Sequence, residues 1–230
     1  DWMKNNMMPI IEPGTRLFEY AGKQMEKNAE LKAYILDFVH KADYNITDVY
    51  TEREKVPIPD FVKTSIMEDK DIPEKTKEKM LADNALERLR TDFQHTVKNK
   101  RGEENYRLPN SLQSEGTKRT FGIEAAIYEA IKTNGILPID EIESSLHPEL
   151  VEFIIEKFLK EKSRSQLIVT SHYDPLLNTV DDLIRKDSVW FTEKEKDGHT
   201  TLYSLTDFKG LSKISSFQKS YRNGVFGALP

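Results

Sequence analysis

The sequence predicts an α/β fold built on a parallel sheet, with a mainly helical lobe ahead of it and a β-hairpin behind it. Three observations predict this. Two short apolar runs, Ile136 to Ile139 and Gln166 to Thr170, flank a stretch of helical periodicity, which is the order of a βαβ unit. The first run stops on two adjacent carboxylates, Asp140 and Glu141, and ligands of open α/β sheets bind beyond the carboxyl ends of the strands. Ser188 to Glu193 and Thr200 to Leu205 are strand-like runs joined through Lys196-Asp197-Gly198, a hairpin signal.

The elements follow in chain order. Residues 14 to 42 read as helical, because Leu31, Ile35, Phe38 and Val39 recur at three- and four-residue spacing. Asp48 to Val62 turns extended, broken by Val56-Pro57-Ile58-Pro59, and Pro73 opens a further helical stretch running towards Val97. Residues 99 to 111 are polar and turn-rich, which closes a first lobe over 1–107 and starts the core segment at 108–230. From Gly116 to Thr133, Ile123, Ile127 and Ile131 share one helical face. Pro148 suits a first helical position, and the helix it opens turns Leu150, Phe153, Ile154 and Phe158 towards a core.

Composition narrows the class. Hydrophobic residues make up 37% of the 230 and charged residues 32%, no run approaches the ~20 apolar residues of a membrane span, and no secretory leader pattern is visible, so a cytoplasmic protein is expected. Cysteine is absent, which excludes disulfides and thiolate metal sites. A net charge of -5 gives no support to a surface that wraps nucleic acid; Lys98, Lys100 and Arg101 form the one short basic cluster.

The chemistry concentrates around the acidic pair. Hydrolysis of a nucleoside triphosphate needs a phosphate cradle, a metal holder, a residue that positions water and donors for developing charge. Asp140 can hold Mg²⁺, Glu141 can orient or deprotonate water, and His172, beyond the second apolar run, can bond a γ-phosphate. Ser114-Glu115-Gly116-Thr117 precedes a helix, where a hydroxyl and backbone N–H groups address anions. Each has an ordinary structural reading beside it: an acidic turn, a histidine capping a strand, a serine capping a helix.

Taken together and in this order, the motifs carry a resemblance. Ser114-Glu115-Gly116-Thr117 resembles the signature motif of ABC-type ATPase heads, a branch of the P-loop NTPases, and Ile136 to Glu141 resembles their Walker B strand. Ser144-Ser145-Leu146-His147-Pro148 resembles their D-loop and Ser171-His172 their switch histidine. With the tail Tyr221 to Pro230, the pattern is most similar to the bacterial AAA-type, ABC-like ATPases of phage-defence loci, relatives of the overcoming-lysogenisation-defect ATPases. The likeness covers Leu108 to the end, with a weaker one over Leu36 to Asp48.

That resemblance implies ATP and Mg²⁺ as ligands and a homodimer of heads with nucleotide sandwiched between them. It implies that Asp140 assists Mg²⁺, Glu141 activates water, His172 senses the γ-phosphate, Ser114 and Gly116 act across the dimer with Glu115 and Thr117 beside them, and Ser145 with His147 signals over the interface. An effector such as a nuclease is the implied partner.

Two features depart from the pattern. No Gly-x-x-x-x-Gly-Lys followed by Ser or Thr is present; Gly14 and Gly22-Lys23 are misspaced and followed by Gln24. The chain therefore reads as the later part of a head, inactive alone. Pro138 stands inside the expected central strand, where it cannot donate to a ladder. Two other classes of function stay open: a non-catalytic ATPase-like scaffold, and a metal-dependent nuclease built on Asp140, Glu141, Glu143 and His147.

Overall fold

The computed structural model describes residues 2–42, 44–82, 84–100 and 102–229. A short helix α1 (Trp2–Asn6) leads into α2 (Leu17–Lys27) and α3 (Ala29–Lys41). The expected single helical stretch over 14 to 42 is two helices. Asn28 separates them in an extended conformation and caps α3, its side-chain oxygen accepting from the Leu31 N–H at 3.0 Å.

Next come β1 (Ile46–Pro57), α4 (Asp60–Glu68), α5 (Glu74–Ala82), β2 (Ala85–Asn99) and β3 (Gly102–Pro109). The helix opened by Pro73 was expected to run towards Val97, but it ends at Ala82 and residues 85–99 form a strand. Leu86, Leu89, Phe93 and Val97 sit three and four apart, so the segment mimics a helical stripe. Pairing decides for the strand: β2 is antiparallel to both β1 and β3, and its inward Thr91 and Phe93 alternate with a half-buried Asp92. The stretch 99 to 111 is likewise mostly strand rather than turn. Of the basic cluster, Lys98 pairs with Glu103 at 2.9 Å, and Arg101 lies outside the described residues, as does Pro230.

The second half contains α6 (Glu115–Thr133), β4 (Ile136–Ile139), α7 (Pro148–Lys160), β5 (Gln166–Val169), the antiparallel pair β6 (Trp190–Lys194) and β7 (Thr200–Ser204), and α8 (Phe217–Arg222). β4 and β5 pair in parallel, Ile136 opposite Gln166 through Ile139 opposite Val169, with α7 as the crossover. Pro148 occupies the first turn of α7, and the helix buries Val151, Ile154, Ile155 and Phe158.

Pro138 is accommodated by the neighbour on the other edge of β4. The carbonyls of Ile136 and Pro138, two residues apart, accept from the N–H groups of Met8 and Ile11, three residues apart, at 2.9 and 3.0 Å. That extra residue bulges the N-terminal segment where Pro138 has no proton to give.

α6 is the central post. Phe121, Ile123, Ala125, Ala126, Ile127 and Ala130 are buried around its circumference, which an interior helix requires. Phe121 meets Phe93 of β2 edge-on at 4.9 Å, and Phe18 of α2 stacks on Phe93 at 5.6 Å, so both halves of the chain share one core. Gly122 lets α2 cross at close range, because a Cβ there would stand 2.3 Å from the Leu17 Cβ. Among the described residues no helix is long and apolar enough to cross a membrane.

One charge is buried in this post. Glu124 of α6 is fully enclosed and accepts from the Lys157 ammonium of α7 at 3.2 Å, while that ammonium lies 3.6 Å from the centre of the Tyr34 ring. Burial pushes the Glu124 carboxyl up to about 7, with Lys157 opposing the shift. A carboxyl raised on folding contributes stability that is fully present below its unfolded value of 4.5 and is lost as pH rises through about 7. Urea unfolding across that window tests it: relative to Glu124→Gln, the native protein should lose about 3 kcal/mol between the two values and no more above them. Parallel curves for the two proteins would refute the assignment.

Candidate nucleotide site

The carboxyl ends of β4 and β5 bring the acidic pair and the histidine together. Thr170, just past β5, is the organiser: its hydroxyl accepts from the Glu141 N–H at 2.9 Å and donates to Asp140 Oδ1. Asp140 is thereby oriented with its second oxygen turned away from that bond. Glu141 takes a left-handed conformation, φ 44°, which turns the chain sharply after the strand. The turn closes through Ser144 N–H to the Glu141 carbonyl and Leu146 N–H to the Glu143 carbonyl, each 2.9 Å, with Ile142 buried beneath it.

His172 faces Glu141, its Nε2 standing 3.8 Å from Glu141 Oε1, and its ring is largely exposed. The backbone N–H of His172 donates to Glu143 Oε1 at 2.7 Å. Glu143 is therefore a brace for the histidine loop rather than a member of a metal set. Its other oxygen is buried without a partner among the described residues. The nuclease constellation of Asp140, Glu141, Glu143 and His147 does not assemble: among the described residues no three His, Asp or Glu side chains are placed to hold one metal ion. His147 occupies the N-cap position of α7 and makes no side-chain capping bond.

The signature-like segment lies against the same turn. Ser114 caps α6, accepting from the Thr117 N–H at 3.0 Å, with 2.8 Å between the two hydroxyl oxygens. Glu115 is exposed and pairs with Lys118 along the helix. Gly116 touches the turn itself: a Cβ there would stand 2.6 Å from the Ser145 carbonyl oxygen, and Ser145 is itself left-handed at φ 62°. The structure thus gives Ser114, Thr117 and Gly116 local roles within the chain.

Arg119, one turn further along α6, escapes a motif-based reading. Its guanidinium is buried and donates to the carbonyls of Glu141 and Pro13, both at 3.1 Å, with longer bonds of 3.4 Å to those of Asp140 and Glu12. Burial lowers its pKa, opposed by the carboxylates of Glu143 and Glu141. Four carbonyls around one fork tie α6, the acidic turn and the N-terminal segment into one body. Thr170 was the more findable omission, since it directly precedes Ser171-His172 at a strand end.

A parallel βαβ unit, β4 and β5 joined through α7, is the α/β architecture of an AAA, P-loop ATPase-like domain. A family model described as "AAA domain, putative AbiEii toxin, Type IV TA system" matches residues 20–178, well over half of the chain, and the chain belongs to that family. The matched span holds every residue of the site and leaves the β6–β7 pair and α8 outside it. No curated protein matches the chain.

Gly116 gives a test of the contact between helix and turn. Alanine in a first helical turn would ordinarily gain up to about 1 kcal/mol over glycine. Against a backbone oxygen at 2.6 Å the sign reverses, and Gly116→Ala should lower Tm by about 2–6 °C. A Tm that rises would show that the turn yields freely.

Proposed function

We propose that this chain forms the signature, Walker B and switch-histidine part of an ABC-type ATPase head, related to the overcoming-lysogenisation-defect ATPases and acting in phage defence. The observation that carries this reading is the convergence of Asp140, Glu141, Thr170 and His172 at the ends of two paired parallel strands.

The residues fit hydrolysis of a terminal phosphate. Asp140 offers a hard carboxylate oxygen to a Mg²⁺ ion, held directly or through water; when bound, the ion supplies neutralising charge to the phosphate oxygens. Glu141 accepts a proton from, or orients, the water that attacks the terminal phosphorus. His172, exposed beside Glu141, donates to an oxygen of the terminal phosphate as water attacks it and its bond to the leaving nucleoside diphosphate breaks. Arg119 holds the Asp140 and Glu141 carbonyls, so the backbone that carries both carboxylates is fixed.

The phosphate cradle comes from sequence outside these 230 residues, since no P-loop motif occurs within them. The outer edge of β5 is free of a strand among the described residues. Such an edge presents unpaired N–H and C=O groups, so it suits one more parallel strand carrying the loop. Two completed heads then close around ATP, with the Ser114 and Gly116 end of each α6 facing the other's nucleotide, and closure governs an effector such as a nuclease in the cytoplasm.

Glu141→Gln in the completed head is the test. Nucleotide should stay bound, the dimer should accumulate, and turnover should fall by about a hundredfold or more. Undiminished turnover would remove Glu141 from its role.

A further inference from the structure

The geometry points to Arg222 as a positioning residue for His172, so that the C-terminal segment, which lies outside the matched family span, sets the histidine loop. This deepens the proposed ATPase reading, because it gives the switch histidine its support.

The support is a short chain of bonds. The Arg222 guanidinium grips the Asp174 carboxylate with two bonds, Nε to Oδ2 and Nη2 to Oδ1, the latter 3.0 Å. The Asp174 side chain is 19% exposed and that of Arg222 61%, so the carboxylate is the member of the pair partly withdrawn from water. A bidentate fork on a half-enclosed carboxylate fixes direction as well as distance, unlike the usual exposed ion pair. The Asp174 backbone N–H in turn donates to the His172 carbonyl at 3.1 Å, and the His172 N–H donates to Glu143 at 2.7 Å. His172 is thus held from the acidic turn on one side and from α8 on the other. Gln218, one turn before Arg222, reinforces the grip by donating to Asp174 at 3.4 Å and accepting from Asn178 at 2.9 Å.

The segment after α8 is built to hold that grip. Phe226 is fully buried among Phe191, Phe208 and Phe217. Its carbonyl accepts from the Tyr203 hydroxyl at 2.7 Å, and the Ala228 carbonyl accepts from the Tyr221 hydroxyl at 2.8 Å. Gly227 is left-handed at φ 65° and admits no Cβ, which would stand 2.8 Å from the Tyr203 oxygen. The tail anchors α8, α8 presents Arg222, and Arg222 reaches the histidine loop through Asp174.

Amide hydrogen exchange on the full chain, without nucleotide, separates this role from simple attachment of α8. Arg222→Ala and, from the other partner, Asp174→Asn should each speed exchange at His172 and Asp174 by roughly fivefold, with amides of β4 and α6 unchanged. Arg222→Lys should restore protection only in part, because an ammonium lacks the fork. Exchange changed only in α8 and the tail, or at none of these amides, would overturn the proposal. In the completed head the same variants should lower kcat while leaving KM for ATP near its native value. Failure of the native completed head to bind nucleotide would instead count against the ATPase reading, which the exchange measurement does not require.

Discussion

The guanidinium of Arg119 is the interaction on which the site depends. Backbone carbonyls at a sharp strand-end turn cannot all point into a ladder, and buried ones must find donors. Arg119 supplies them from α6, a helix buried on most of its circumference and so not free to drift. Its fork reaches the carbonyls of both the acidic turn and the N-terminal segment, which fixes where β4 delivers Asp140 and Glu141. Thr170 and Glu143 then orient side chain and loop against a frame that is already set.

Much of this frame is legible in the sequence, and the legible parts share a cause. The βαβ unit shows itself because short apolar runs and a helical period alternate with a proline at a helix start, all local features. Ser114 shows itself as a cap for the same reason. The long strand Ala85–Asn99 hides, because Leu86, Leu89, Phe93 and Val97 satisfy a helical stripe and only pairing with β1 and β3 selects the strand. Arg119 hides as well: its partners are carbonyls distant in sequence, and a carbonyl leaves no trace in residue type. Asp174 and Arg222, 48 residues apart, are equally silent until the tail is folded.

The arrangement also reassigns why certain residues are as they are. Gly116 answers first to the Ser145 carbonyl of its own chain, so any part it plays across a dimer is added to a local steric requirement. Pro138, an oddity in a central strand, marks where the neighbouring N-terminal segment bulges. Among the described residues no strand pairs with the outer edge of β5, and the layer is open to extension there. The N-terminal end of α6, which carries the signature-like segment, and the turn carrying the carboxylates are held as one unit through Gly116 and Arg119.

Calorimetric titration of Mg-ATP into this chain, alone and then with a strand and P-loop segment supplied, bears most directly on the account. An incomplete ATPase head should bind only in the supplemented form. Absence of binding in both forms would contradict it and leave the chain an ATPase-like scaffold.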